Sequence, residues 1–261
     1  MNLQGKVALV TGSTSGIGLG VARALAADGA DIMMNGFGDA AEIDALREGL
    51  AQEFSVRVAY DGADLMQPEQ VAGIVKTTQS SFGSLDILVN NAGIQFVASI
   101  EEFPDEKWDA ILALNLSAVF HAMKASIPGM KANKWGRIIN IASAHGLVAS
   151  PNKIAYVAAK HGVVGATKVA ALELANEGIT VNAICPGWVL TPLVEQQLRD
   201  RADAAGTEVA IEAEKLLNEK QPMLKFTSPE LVGSLAAYLC SDAAETITGS
   251  PISIDGGWVA Q

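Results

Sequence analysis

Residues Lys6-Val7-Ala8-Leu9-Val10-Thr11-Gly12-Ser13-Thr14-Ser15-Gly16-Ile17-Gly18 decide the fold. Positions 6–10 are a short apolar run, as expected of a parallel strand buried on both faces. A glycine-rich turn follows at once, and residues 19–27 have helical composition. Strand, glycine turn and helix in that order are the context of a dinucleotide site. The glycines let backbone approach a pyrophosphate, and the helix N-terminus offers amide donors. Gly12, Thr14, Ser15, Gly16, Ile17 and Gly18 are the cofactor-binding candidates here. The bland alternative is an ordinary glycine turn.

Outward from this stretch, helix and strand alternate. A strand over 31–35 ends in Asn35-Gly36-Phe37-Gly38-Asp39. Dinucleotide enzymes often place an acid there, against the ribose hydroxyls; here the acid, Asp39, comes late. No Lys or Arg follows this strand or sits in Ser13-Thr14-Ser15, so a 2′-phosphate finds no cation and NAD is expected over NADP. Phe37 either packs on the adenosine side or covers the core. A helix over 40–54, a strand over 56–60, a helix over 68–82 opened by Pro68 and a strand over 86–89 come next. Asp64-Leu65 closes the loop after the third strand. The Asp64 carboxylate there either meets an adenine amino group or flanks the next helix as a cap. Asn91, Ala92 and Gly93 follow the fourth strand, at the carboxyl end where open α/β sheets bind ligands.

The 261 residues suffice for one large α/β domain or two small ones. With 49% hydrophobic and 18% charged residues, a sizeable core is expected rather than disorder. Eighteen basic against 29 acidic residues give a net charge of −11, which argues against nucleic acid as a partner. Cys185 and Cys240 match no zinc or redox spacing, and no metal site is expected. The start lacks the apolar segment of a signal peptide, and no apolar run looks long enough to span a bilayer, so a cytoplasmic protein without a membrane partner is expected.

The chemistry is concentrated between Ser143 and Lys160. Tyr156 and Lys160 are four residues apart, on one face of a helix and roughly 5–6 Å apart at Cβ. A free phenol titrates near about 10; an ammonium beside it favours phenolate. With the Ser143 hydroxyl to hold an oxygen, this is equipment for interconverting an alcohol and a carbonyl. Alone, Tyr-x-x-x-Lys is usually just a helix face.

Together, Thr11-Gly12-x3-Gly16-x-Gly18, Asn90-Asn91-Ala92-Gly93, Asn115, Ser143, Tyr156-x3-Lys160, Pro186-Gly187 and Asp255-Gly256-Gly257 resemble the short-chain dehydrogenase/reductase family, in the family's order and over nearly the whole chain. The resemblance implies one doubly wound, Rossmann-like α/β domain over residues 1–261 with a seven-stranded parallel sheet. It also implies a nicotinamide cofactor, hydride transfer and a homotetramer. It carries over Tyr156 as acid and base, and Lys160 as the ammonium that lowers the phenol's pKa and holds the ribose. Ser143 becomes the anchor of the substrate oxygen, and Asn115 part of a water-linked proton relay. Pro186, Gly187, Val189 and Thr191 would surround the nicotinamide. The late Asp39 departs from the pattern.

Residues 107–131 read as one long helix containing Asn115, a residue mildly unfavourable there whose bland role is to cap a kink. A strand over 136–142 delivers Ser143, and the alanine-rich helix over 154–177 carries Tyr156 and Lys160 and offers a close-packing surface for a subunit interface. Strands over 179–184 and 252–254 and a helix over 229–240 complete the pattern. Residues 192–223 are long for a connection and carry two helices, about 193–201 and 207–220: a helical substrate lid or a plain surface insertion.

Gln95, His145, Lys153 and Gln197 can together hold a carboxylate, with Lys153 as the cation. Trp188 and Trp258 would wall the pocket, and Ser143 and Tyr156 would face the reacting oxygen. Each has a bland alternative: a solvated Lys153, an exposed Gln197, a His145 bonded to backbone, a Trp258 at an interface. The runs Asn91-Ala92-Gly93-Ile94-Gln95, Ser143 to Lys153, Cys185-Pro186-Gly187-Trp188-Val189 and Thr191 to Gln197 resemble the branch of the family that oxidises (R)-3-hydroxybutyrate to acetoacetate with NAD. The competing expectations are a 3-oxoacyl thioester or a sugar alcohol as substrate, and, in another class, an NAD-sensing regulatory protein. The acidic chain without a 2′-phosphate cation disfavours the thioester. The complete Asn115, Ser143, Tyr156, Lys160 set disfavours the sensor.

Overall fold

Seven strands form one sheet in the order β3-β2-β1-β4-β5-β6-β7: β1 (Val7–Val10), β2 (Asp31–Asn35), β3 (Val58–Asp61), β4 (Ile87–Asn90), β5 (Gly136–Ile141), β6 (Ile179–Pro186) and β7 (Pro251–Ile254). The structure, a computed structural model, describes residues 2–260. Every pairing is parallel. β1, β4, β5 and β6 are buried along their whole length, which their largely apolar, non-alternating sequences permit because helices cover both faces.

On one face, α1 (Gly16–Ala27), α2 (Ala40–Phe54) and α9 (Pro229–Cys240) close a core built on Val10, Leu25, Ile32, Met34, Leu50, Ile139 and Leu239. α1 and α9 meet backbone to backbone: a Cβ on Gly20 would lie 2.5 Å from the Pro229 carbonyl oxygen. On the other face, α3 (Pro68–Phe82), α5 (Ala118–Asn133) and α6 (Ile154–Leu174) pack over Leu9, Met33, Leu88, Ile138 and Val181. α4 (Asp105–Leu112) leans on α6 through Ile111, Ala155 and Ala159. α7 (Pro192–Ala205) and α8 (Val209–Asn218) form an excursion between β6 and α9.

Strand order reverses between β1 and β4. That switch point is where an open sheet leaves a crevice at its carboxyl edge, and the loops after Val10 and Asn90 both open into it.

The helix expected over 107–131 is interrupted. A π-helical turn, Ala113–Ser117, separates α4 from α5 and carries Asn115. Such a turn admits an extra residue and re-aims a side chain. The whole stretch Asp105–Asn133 is also long and apolar enough to cross a membrane by length and composition, contrary to the expectation of no such run. Part of this stretch packs against α3, α6 and the sheet.

Candidate active site

The glycine loop is tied to both neighbouring strand ends. Asn91 donates through Nδ2 to the carbonyls of Thr11 (2.9 Å) and Gly12 (3.1 Å). The amides of Asn91 and Ala92 donate to the Thr11 hydroxyl, and the Gly12 amide donates to Asn35 Oδ1. The Asn35 amide group in turn donates to the carbonyls of Asp61 and Ala63. A Cβ on Gly18 would sit 2.2 Å from the Gly12 carbonyl oxygen, so only glycine allows the helix to start this close to the strand. α1 has no side-chain cap from Ser15 and no acid in its first turn. Its first amides are therefore left for an anion. Bare backbone, glycine cradle and uncapped helix fit the pyrophosphate of a dinucleotide. Asn35 was missed by the sequence reading; its one signal is an Asn ending an otherwise apolar buried strand.

The adenosine-side expectations change. Phe37 is 69% exposed and does not cover the core; its carbonyl accepts from the Thr14 hydroxyl. Asp39 caps α2, accepting from the amides of Ala41 and Glu42, so the late acid serves a helix terminus. Asp64 accepts from the Met66 amide within its own turn, while Gln67 occupies the cap position of α3. The Leu65 side chain is buried in the core, which leaves only its backbone to the crevice.

On the opposite side of the crevice, β6 extends to Pro186. Beyond it, Val189 bridges to Thr227. Thr191 caps α7, its hydroxyl accepting from the Val194 amide at 3.4 Å.

Ser143 leaves β5 in extended conformation and opens a short 3-10 turn, Ala144–Gly146, with its Oγ accepting from the His145 amide at 3.1 Å. The same hydroxyl faces the Tyr156 phenol and favours its ionised form. Lys160 Nζ lies 5.6 Å from the Tyr156 ring centre and donates to the Ile141 carbonyl at 2.7 Å. Burial pulls the Lys160 ammonium down to about 8. Burial also pushes the Tyr156 phenol up, and the neighbouring Ser143 hydroxyl draws it back in part. In this structure desolvation therefore outweighs the lowering expected from the Tyr-x-x-x-Lys spacing.

Asn115 is not a cap. Its Oδ1 accepts from the Ile94 amide (2.9 Å) and its Nδ2 donates to the Ile94 carbonyl (2.8 Å). It clamps the segment between Gly93 and Gln95.

A cavity of about 150 Å³ opens beside Tyr156. It gathers Gln95, Ser143, His145, Lys153, Tyr156, Trp188 and Trp258, seven of the eight residues expected to meet substrate, together with Ile17, Gly187, Val189 and Thr191. Gln197 is absent from it. That residue is exposed on α7, and Val194, one turn earlier, faces the cavity instead. The His145 ring packs edge-on against Trp258 (5.1 Å) and Tyr156 (6.0 Å), and its Nε2 lies 2.9 Å from Ser150 Oγ. Burial first, and then the charge of Lys153, bring His145 down to about 4, so it is neutral near pH 7. Lys153 Nζ lies 5.3 Å over the Trp188 ring and forms no ion pair among the described residues. Burial lowers its pKa too.

A nucleotide cradle at the switch point, beside a Ser-Tyr-Lys cluster on a seven-stranded parallel sheet, defines an oxidoreductase class, and the chain belongs to the short-chain dehydrogenase/reductase family. Residues 12–259 match the family described as enoyl-(acyl carrier protein) reductase. More particularly, the chain is 57% identical over 260 residues to the D-beta-hydroxybutyrate dehydrogenase of Cupriavidus necator, covering 99% of this chain and 100% of that one. It is 54% identical to the D-beta-hydroxybutyrate dehydrogenase of Rhizobium meliloti, covering 98% and 99%. Among solved structures, the L-sorbose reductase of Gluconobacter frateurii, complexed with NADPH and L-sorbose, superimposes with a TM-score of 0.96 at 33% identity, covering 100% of this chain and 99% of that one.

Proposed function

We propose that this protein oxidises (R)-3-hydroxybutyrate to acetoacetate, reversibly, with NAD as cofactor. The observation that carries the reading is Lys153, which forms no ion pair among the described residues and lines the cavity that also holds Ser143 and Tyr156. The relatives named D-beta-hydroxybutyrate dehydrogenase support the same substrate.

When bound, NAD supplies the hydride acceptor. Gly12, Thr14, Ser15, Gly16, Ile17 and Gly18 hold its pyrophosphate side. The loops at Asp64-Leu65 and Asn91-Ala92-Gly93 flank the adenosine, and Pro186, Gly187, Val189 and Thr191 flank the nicotinamide. Ser143 holds the substrate oxygen. Tyr156 takes its proton on oxidation and returns it on reduction. Lys160 holds positive charge beside the phenol as it ionises, and Asn115 keeps the 93–95 segment in place and anchors the proton relay. Lys153, Gln95 and neutral His145 bind the carboxylate, while Trp188 and Trp258 exclude water and longer chains. Neither Ser13-Thr14-Ser15 nor residues 35–39 contain a Lys or Arg for a 2′-phosphate, which supports NAD.

The chain acts as one domain in which α7 and α8 close as a lid, bringing Gln197 toward substrate. It works in the cytoplasm as a homotetramer. The exposed Phe120 on α5 and Val169 and Leu172 on α6 support burial against another copy.

The test is an NADH-absorbance panel of 3-hydroxybutyrate, longer 3-hydroxy acids, sugar alcohols and a 3-oxoacyl thioester. Highest kcat/KM for 3-hydroxybutyrate is expected. A higher value for any neutral alcohol or for the thioester overturns the reading, and no turnover with any of them favours a sensor.

A further inference from the structure

We propose that Gln221 is a positioning residue that sets the width of the substrate cavity by holding its Trp188 wall against the exit of the α7–α8 excursion. The proposal rests on that cavity being the substrate site.

Gln221 lies just beyond α8 and is 1% exposed, although its side chain is polar. Its Oε1 accepts from the Trp188 amide at 3.2 Å. Its Nε2 donates to the carbonyls of Met223 (3.3 Å) and Lys225 (2.5 Å). The side chain therefore fastens the turn over 221–225 to the residue whose indole walls the cavity. The Trp188 carbonyl is held by the same stretch, since it accepts from the Thr227 amide at 2.9 Å. Both backbone polar groups of Trp188 thus depend on 221–227.

The indole itself has no such hold. Trp188 Nε1 is buried with no hydrogen-bond partner among the described residues. Its ring is placed only by packing, against Trp258 at 5.9 Å and beneath Lys153. A shift of the backbone would therefore move the indole and the ammonium above it.

Gln221 also reaches the second tryptophan wall. A Cβ on Gly187 would lie 2.7 Å from Gln221 Oε1, and one on Gly256 would lie 2.7 Å from Gln221 Cγ. The Met223 amide donates to the Gly256 carbonyl, two residues before Trp258. One buried amide thus joins three segments, two of which carry the tryptophans facing substrate.

The test uses the full chain with Gln221→Met and Gln221→Glu. Methionine keeps the length and removes every side-chain hydrogen bond. Glutamate keeps an acceptor for the Trp188 amide but, when ionised, aims negative charge at two carbonyls. We expect Gln221→Met to raise KM for 3-hydroxybutyrate about tenfold, the scale of losing a buried hydrogen bond. KM for 3-hydroxyhexanoate should rise less, and NADH affinity by fluorescence titration should change by less than about twofold. Gln221→Glu should show the defect at about pH 8. Relative to the native chain at the same pH, the defect should shrink toward about pH 6, because a buried carboxyl protonates at raised pH and can then donate.

Equal KM increases for short and long acids, or a Gln221→Glu defect independent of pH, would overturn the proposal in favour of general destabilisation. If Gln221→Met does not fold, the pH profile of Gln221→Glu decides. If the native chain does not oxidise 3-hydroxybutyrate, the reading of the substrate fails, and Gln221 is judged separately. Acrylamide quenching is then compared with and without Gln221→Glu in a chain whose Trp108, Trp135 and Trp258 are phenylalanine. Greater exposure of Trp188 in the variant supports the positioning role, and unchanged quenching refutes it.

Discussion

Replacing Lys153 by Met removes a charge while keeping most of the stem, and this perturbation separates recognition of the acid from the chemistry. Lys153 is half-buried, lies 5.3 Å over the Trp188 ring and forms no ion pair among the described residues. A carboxylate arriving there gains a charge-assisted hydrogen bond of roughly 1.5–3 kcal/mol. At about 1.4 kcal/mol per power of ten, kcat/KM for 3-hydroxybutyrate should fall about tenfold to a hundredfold. The lost cation–π contact already exists before substrate arrives, so it costs stability rather than binding. Burial chiefly, and Arg201 secondarily, hold the Lys153 ammonium below the usual lysine range. A bound carboxylate favours the protonated form, so KM for the acid should rise as pH climbs through the depressed pKa, and Lys153→Met should flatten that rise. The assay is NADH absorbance with the acid and its neutral methyl ester, with NADH affinity measured by fluorescence. The ester should be a poor substrate, little changed by the substitution. Equal losses for acid and ester would show that Lys153 does not read the carboxylate.

Tyr156→Phe keeps the ring and removes the proton carrier; turnover should fall at least about a hundredfold with NADH binding retained, and near-native turnover would sink the assignment. Measured with both cofactors, kcat/KM should favour NAD over NADP, since neither Ser13-Thr14-Ser15 nor residues 35–39 contain a Lys or Arg to meet a 2′-phosphate; equal values would contradict this. Limited proteolysis should cut residues 192–223 more slowly once NAD and a substrate analogue are added, whereas unchanged cutting would make α7 and α8 a fixed insertion. His145 titrates at about 4 in the fold against 6.5 for an exposed histidine, so the unfolded chain takes up its proton first as pH falls. Stability should therefore decline between about pH 6.5 and 4, by an upper bound of roughly 3 kcal/mol. In denaturant titrations His145→Gln should remove that part of the decline, and an identical pH dependence in both chains would refute it.

The parts legible in the sequence are those set by local pattern. Apolar runs and glycine punctuation gave the alternation of strand and helix; the helices over 40–54, 68–82 and 229–240 needed no adjustment. Tyr156 and Lys160 could be paired because four residues is nearly one helical turn. Tertiary structure alone decided which side chains converge across long separations. Asn35 reaches Gly12 because parallel strands bring their carboxyl ends to one edge, and Gln221 reaches Trp188 because the chain beyond α8 returns to the end of β6. Helical phase relative to the cavity put Val194 inside and left Gln197 exposed, a choice invisible in residue type. The π-turn at Asn115 arises where its amide pairs with both backbone groups of Ile94, which no local propensity encodes. The spacing of Tyr156 and Lys160 fixed their proximity, but their ionisation follows the density of protein packed around them. Burial belongs to the assembled fold and not to any segment of the chain, so it could reverse the expected direction for the phenol.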